Sequence, residues 1–224
     1  MLPANKHPLI EWGFTRFNRI FLKKHFESIY LWKPSGTIPS KNTLFLINHS
    51  TWWDPLMIFY LNDQIIQSDG YGMMHEDGIQ RHPFFRRIGA FSIKPEDRKH
   101  LIASLKYSTT LLNEQKTVWM FPQGEEQHLE KRPLHFFSGA AYLAQNASHV
   151  NVVPITLYYS LEHTRKPNAY IRIGEAIEPD DLSRMKRKEL TEFLERVMTN
   201  QLNELKETIV SENHQGFLNL FKKH

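Results

Sequence analysis

Apolar positions along this chain fall in short runs, and the period of each run predicts the element that carries it. Residues 43–47 (Thr-Leu-Phe-Leu-Ile) form an apolar run ending at Asn48, which suits a buried strand. Residues 71–75, 90–94, 117–121, 152–159 and 169–173 read as further strands, with Pro122 stopping the run at 117–121. Between them the period lengthens to that of a helix. Asp54-Pro55 opens one through about Leu61, Asp being a good N-cap and Pro suiting the first helical position. Pro95, Glu96 and Asp97 start another that runs to about Gln115, with Leu101, Leu105, Leu111 and Leu112 as its apolar stripe. A Gly/Ala-containing helix covers roughly 136–147, and a highly charged one runs from Asp180 to about Val210. Strands alternating with helices predict an α/β fold, a largely parallel central sheet flanked by helices. In such sheets the site lies beyond the carboxyl ends of the strands, where His49 and residues 122–126 fall.

Ahead of the first strand lies an N-terminal amphipathic helical segment: Ile10, Phe14, Phe17 and Phe21 recur at helical spacing, with Arg16, Arg19, Lys23 and Lys24 mostly on other faces. Two readings fit it. A basic aromatic helix lies in the headgroup layer of a membrane, and an ordinary amphipathic helix packs its rings into the core. Charge favours a local partner. The chain carries +4 overall, but residues 1–41 hold seven Lys/Arg against Glu11 and Glu27, so that segment is +5 and the rest −1. This asymmetry argues against a broad nucleic-acid footprint. No apolar run approaches the roughly 18 residues that span a bilayer, and charges from Glu11 onward interrupt any signal-peptide core. The expected location is therefore peripheral, on the cytoplasmic face of a membrane.

With 41% hydrophobic and 23% charged residues, and no repeat or linker, the composition is that of a folded globular protein. The expected division is a basic aromatic membrane-associating segment over 1–41, one catalytic domain over 42–210, and a tail over 211–224. The absence of cysteine excludes disulfides, thiolate zinc sites and cysteine nucleophiles.

The candidate chemistry begins at His49 and Asp54. On a continuous helix five residues would set them about 140° apart. With His49 in the turn and Asp54 heading the helix, the carboxylate can bend back to the imidazole. One ring nitrogen is then held as a donor and the other is left to take a proton. That is the base and orienter of a triad without a protein nucleophile, which leaves a substrate hydroxyl as the attacking group. Without further context the same residues read as a helix cap and a polar turn residue.

Context comes from four collinear blocks over roughly 43–157. Asn48-His49-x4-Asp54 resembles the first motif of the glycerolipid acyltransferases, the family of 1-acylglycerol-3-phosphate acyltransferases. Residues 88–94 resemble the second block, Gly-x-x-Phe-Ile-x-Arg; Phe121-Pro122-Gln123-Gly124-Glu125 the third, Phe-Pro-Glu-Gly-Thr-Arg; and Val152-Val153-Pro154-Ile155 the apolar fourth. The resemblance implies transfer of a fatty acyl group from acyl-CoA or acyl-carrier-protein to a lipid hydroxyl, without metal or cofactor. His49 would be the base, Asp54 its orienter, and a backbone N–H near Gly124 an oxyanion donor. Lys94, Gln123, Gly124 and Glu125 are the implied substrate-binding positions, with Arg86, Arg87, Lys131 and Arg132 as further cations for a phosphate.

The chain departs from that pattern. Lys94 replaces an arginine and loses its bidentate fork; Gln123 replaces glutamate, and Glu125-Glu126 replace Thr-Arg. Two carboxylates where the family has a cation point toward a neutral polyhydroxyl acceptor, such as the sugar of a glycolipid or glycosylated terpenoid. Trp52 and Trp53 suit either an acyl or sugar site or core packing. Three rivals stand beside the acyltransferase reading. A hydrolase lacks its Gly-x-Ser-x-Gly elbow and is left with Ser50. A non-catalytic membrane-binding module does not explain the His49–Asp54 pair. A metal enzyme lacks ligand spacing among the 12 histidines.

Overall fold

The computed structural model describes residues 1–222, with the side chains of 180 and 181 left out; residues 223–224 of the predicted tail lie outside the described residues. In chain order the first half runs α1 (Pro8–His25), β1 (Ile29–Trp32), β2 (Thr43–Ile47), α2 (Asp54–Leu61), β3 (Gly70–His75), α3 (Glu76–Arg81), β4 (Ala90–Ile93) and α4 (Arg98–Asn113). The second half runs β5 (Thr117–Met120), α5 (Gly139–Asn146), β6 (Asn151–Ser160), β7 (Asn168–Ile173), α6 (Pro179–Ser183), α7 (Arg187–Val210) and β8 (Leu218–Asn219).

The strands form one eight-stranded sheet in the order β4-β3-β5-β2-β6-β7-β1-β8. Neighbours are parallel except β6–β7 and β1–β8. This bears out the largely parallel α/β sheet. β2 lies mid-sheet, and alternate residues serve opposite faces: Leu44 and Leu46 pack with α4, α5 and α7, Phe45 and Ile47 with α1 and α2. A strand apolar at every position is what a sheet covered on both faces requires. The parallel strands β2, β3, β4 and β5 all end at one edge, and the chain leaves β2 there through Asn48 and His49.

The sheet reaches beyond the stretch 42–210 at both ends. β1 lies within residues 1–41 and pairs parallel with β7, and β8 of the tail pairs antiparallel with β1. Two helices also differ from expectation. The helix expected from Pro95 begins at Arg98, because the Asp97 carboxylate caps it by accepting the N–H groups of Lys99 and His100. The helix expected across 180–210 is α6 followed by α7, which restarts after Lys186 in an extended conformation.

Helix α1 serves two surfaces. Asn18 and Leu22 are buried, the Asn18 amide donating to the Leu56 carbonyl of α2 at 2.9 Å. Phe14 meets Phe59 edge-on at 4.8 Å, and Phe21 contacts Trp53 at 5.6 Å. Leu9, Trp12 and Ile20 are 73%, 60% and 71% exposed. They share a face with Arg16 and Lys23, since positions 9, 12, 16, 20 and 23 follow the helical repeat. The predicted stripe of Ile10, Phe14, Phe17 and Phe21 is thus divided between core and solvent rather than wholly buried.

Candidate active site

The turn after β2 is fixed before any substrate is considered. Asn48 is buried, and its side chain extends the ladder to β6, donating to the Leu157 carbonyl at 3.0 Å and accepting the Leu157 N–H at 2.7 Å. The backbone of His49 is clamped at both polar groups. Its N–H donates to Gln123 Oε1 at 2.7 Å, and its carbonyl accepts the Gln127 N–H at 3.0 Å. The His49 ring stacks on Phe121, with centroids 4.0 Å apart and planes 16° from parallel. Rotation of the imidazole is thereby restricted from the side of β5.

Asp54 heads α2, and its carboxylate turns back over the loop instead of capping the helix. Oδ2 lies 2.9 Å from His49 Nδ1 and accepts the N–H groups of Ser50 and Thr51 at 2.6 and 2.9 Å. Oδ1 accepts the Tyr159 hydroxyl at 2.6 Å. Every other partner of this fully buried carboxylate is a donor, so Nδ1 carries the proton in this contact and the Nε2 lone pair faces outward. Burial, then the neighbouring Asp54 charge, hold the Tyr159 phenol well above its ordinary pKa, which keeps it a donor. Tyr159 sits at the carboxyl end of β6, 105 residues from its partner, and no local pattern links the two.

Beside this pair is a cavity of about 310 Å³ lined by Phe26, Ser50, Trp53, His128, Leu129 and Tyr159 among others. Ser50 Oγ is buried without a hydrogen-bond partner. Ser50 Oγ therefore makes no hydrogen bond to His49, and the nucleophile–base contact that the hydrolase reading requires is missing. Trp53 packs between Phe21 and Phe26, whereas Trp52 is 55% exposed and stacks on Trp53 at 4.3 Å. Trp52 and Trp53 thus join the loop of the site to Phe21 of α1.

Several implied substrate-binding positions lie elsewhere or do other work. Gln123 is buried against the His49 backbone, and its amide faces Gln127 at 3.3 Å, so it holds the loop rather than an acceptor. A glutamate there would accept the same N–H, and this departure from the family pattern carries no information about the acceptor. The Gly124 N–H donates to the Phe121 carbonyl at 3.1 Å and closes a turn, so an oxyanion donor near Gly124 would be a neighbouring N–H. Gly124 has φ +75°, and a Cβ there would meet the Phe137 ring at 2.9 Å. Glu125 is exposed and accepts from Gln127 at 3.4 Å. Lys94 follows β4 on the same edge as His49 but three strand positions away, roughly 14 Å at normal strand spacing. Arg86 and Arg87 precede β4, at the amino ends of the strands, and do not join the site. The Arg86 guanidinium donates to the Pro3 carbonyl, and both backbone carbonyls accept from residues 5 and 7.

Sequence reasoning did not place Glu126 at the base. Its Oε1 lies 3.8 Å from His49 Nε2. The loop that carries it is tied down further along. Glu130 accepts the Tyr158 hydroxyl and pairs with Lys206, and Arg132 donates to Asn203 of α7 at 2.7 Å. Burial and the Glu130 contact push the Tyr158 hydroxyl up to about 12. Among the described residues no cluster of His, Asp or Glu is arranged to hold a metal ion.

A search of curated proteins found no match to the chain. Among solved structures, it is similar to the 1-acyl-sn-glycerophosphate (LPA) acyltransferase PlsC from Thermotoga maritima, with a TM-score of 0.67, 16% identity, and 88% of this chain and 79% of that chain covered. At that identity the likeness is one of fold. The model of the family described as Acyltransferase matches residues 32–158, from β1 to the carboxyl end of β6, which includes His49, Asp54 and the loop of Gln123. With more than half of its length inside that match, and the resemblance of its four blocks borne out, the chain belongs to the acyltransferase family.

Proposed function

We propose that the protein is an O-acyltransferase that moves a fatty acyl group from acyl-CoA or acyl-carrier-protein to the hydroxyl of a lipid, with His49 as general base. The observation that carries this reading is the 2.9 Å contact of His49 Nδ1 with the buried Asp54 carboxylate, which leaves Nε2 as the nitrogen that can take a proton. In the first step Nε2 takes the proton of the acceptor hydroxyl as that oxygen forms a bond to the thioester carbonyl carbon. The tetrahedral intermediate then breaks its C–S bond, and the leaving sulfur recovers the proton from the imidazolium. Products are the ester and the free thiol. Asp54 is a positioning residue in this scheme, and Tyr159 orients Asp54.

The reading includes a membrane surface. Trp12, Ile20 and Trp52 present exposed apolar area next to Arg16, Arg19, Lys23 and Lys24, the combination that partitions into an anionic headgroup layer. No helix among the described residues is long and apolar enough to cross a membrane, so the association would be peripheral, on the cytoplasmic face. An acceptor and a long-chain acyl product are then both available at that interface.

The test is transfer of labelled acyl groups from acyl-CoA and from acyl-carrier-protein to lipid acceptors, lysophosphatidic acid first because it is the acceptor class of the structural relative. His49→Ala is expected to lower the rate by at least about 10³-fold with vesicle binding unchanged. Transfer at the wild-type rate in that variant would overturn the mechanism.

A further inference from the structure

The nitrogen of His49 that faces outward looks onto a carboxylate. Glu126 Oε1 is 3.8 Å from Nε2, too far for a hydrogen bond and close enough that a hydroxyl docked on Nε2 also falls within the carboxylate's reach. The Glu126 side chain is half exposed, and the backbone on either side of it is tied to the base. The neighbouring Gln127 N–H is bonded to the His49 carbonyl, and Gln123 is bonded to the His49 N–H, so the loop and the base move as one unit.

No lysine or arginine among the described residues forms an ion pair with that carboxylate. Among the described residues His49 is the one ionisable group in ion-pair contact with Glu126. Lys206 is paired with Glu130, and the Arg132 guanidinium donates to Asn203 and to the carbonyls of Leu129 and Lys131. Arg86 and Arg87 lie at the opposite ends of the strands, and Lys94 stands three strands from β2. A phosphate four bonds from a reacting hydroxyl lies within roughly 6 Å of it by covalent geometry. With its hydroxyl on Nε2, such an acceptor holds its phosphate within reach of the Glu126 carboxylate.

We propose that Glu126 is a specificity-determining residue: it turns away phosphate-bearing alcohols and hydrogen-bonds a second hydroxyl of a neutral polyhydroxyl headgroup, such as glycerol or a hexose. This deepens the reading of His49 as the base and rests on it. A carboxylate only accepts hydrogen bonds, so it favours a headgroup rich in O–H donors. Its charge repels a phosphate monoester dianion held within a few ångströms, an effect that solvent weakens at this half-exposed carboxylate but does not abolish.

The experiment compares kcat/KM of the full-length protein for 1-monoacylglycerol, an alkyl glucoside and lysophosphatidic acid, in mixed micelles with one acyl donor. The wild type should prefer the better neutral acceptor by at least about tenfold. Glu126→Gln should narrow the ratio at least about fivefold, and Glu126→Arg should invert it. Raising salt should relieve the wild type's discrimination and leave that of Glu126→Gln unaltered, a response that a purely structural role would not give. The carboxylate is 53% exposed, so these substitutions should not affect folding, and unchanged thermal unfolding checks that. A wild type that prefers lysophosphatidic acid, or a ratio unchanged within twofold in both variants, overturns the proposal. If His49→Ala is inactive while the ratio ignores Glu126, the proposal alone fails; if His49→Ala is fully active, the reading of the base fails with it.

Discussion

At the scale of single residues, the site is a buried hydrogen-bond network around one turn, and Gln123 shows how differently a position reads in sequence and in space. In sequence it is a departure from a family motif and invites an explanation in terms of acceptor. In space its Oε1 accepts the N–H of His49 at 2.7 Å, from a side chain that is buried. The consequence is testable. Gln123→Glu keeps an acceptor there and should retain most activity, whereas Gln123→Leu leaves the His49 N–H unpaired and should cost about 1–3 kcal/mol of stability. Urea unfolding with parallel kinetics checks this; equal losses in the two variants would show that the bond does not position the base. Tyr159 illustrates the reverse. Nothing near residue 159 marks it as part of a site, and only the parallel pairing of β2 with β6 brings its hydroxyl to Asp54.

At the scale of elements, what could be read in advance follows from how local the cause is. β2 was legible because a continuous apolar run with a helix signal behind it has one good solution in a covered sheet. The carboxylate turning back to His49 was legible because five residues and one helix start fix it. β1 was not, because Ile29–Trp32 follows a helical run of aromatics and its partner β7 lies some 140 residues away, in the register Ile29 opposite Ala169. The orientation of α1 was hidden for a related reason: apolar side chains occur around much of its circumference, so periodicity does not choose the buried face. Packing does choose it, and that separates two sets of residues experimentally. Leu22→Ala should destabilise the fold by about 2–5 kcal/mol, since Leu22 is buried between α2 and the sheet. Trp12→Glu with Ile20→Glu should leave unfolding within about 0.5 kcal/mol of wild type and lower partitioning onto anionic vesicles by at least about tenfold. Co-sedimentation gives the second quantity, and vesicle binding unchanged in the double variant would rule out that face as the contact.

At the scale of the whole molecule, both ends of the chain close the sheet. β8 covers β1 on one side, and on the other the first residues run along β4. The Leu2 N–H donates to Ser92 Oγ at 2.7 Å, and Leu2 accepts the Ser92 N–H at 2.9 Å. Behind Ser92 lie His100 at 3.0 Å and, on its other nitrogen, Glu76 at 3.1 Å. Ser92 is wholly buried, so this relay anchors an edge and offers no nucleophile to solvent. Lys6 adds a second tie, to Asp69 at 2.6 Å, and Lys116 binds the same carboxylate at 2.6 Å. Burial alone would raise the Asp69 pKa, but the hydrogen bonds and charges of Lys116 and Lys6 overcome it, and the group titrates below its ordinary 3.8. The sign follows from linkage. Because the folded value is the lower one, the tie stabilises the protein fully above pH 3.8 and loses that contribution as pH falls through the folded value. Asp69→Asn should therefore melt below the wild type at neutral pH, with the gap closing in acid below about pH 4. It should also leave residues 1–7 more open to protease, since Lys6 loses its nearer ion-pair partner and keeps only Glu11 at 3.8 Å, while Arg86 and Ser92 keep theirs. Thermal melts across pH, with limited proteolysis, measure both effects; a melting gap that persists below the folded value would mean that the charge of Asp69 is not what holds the strap.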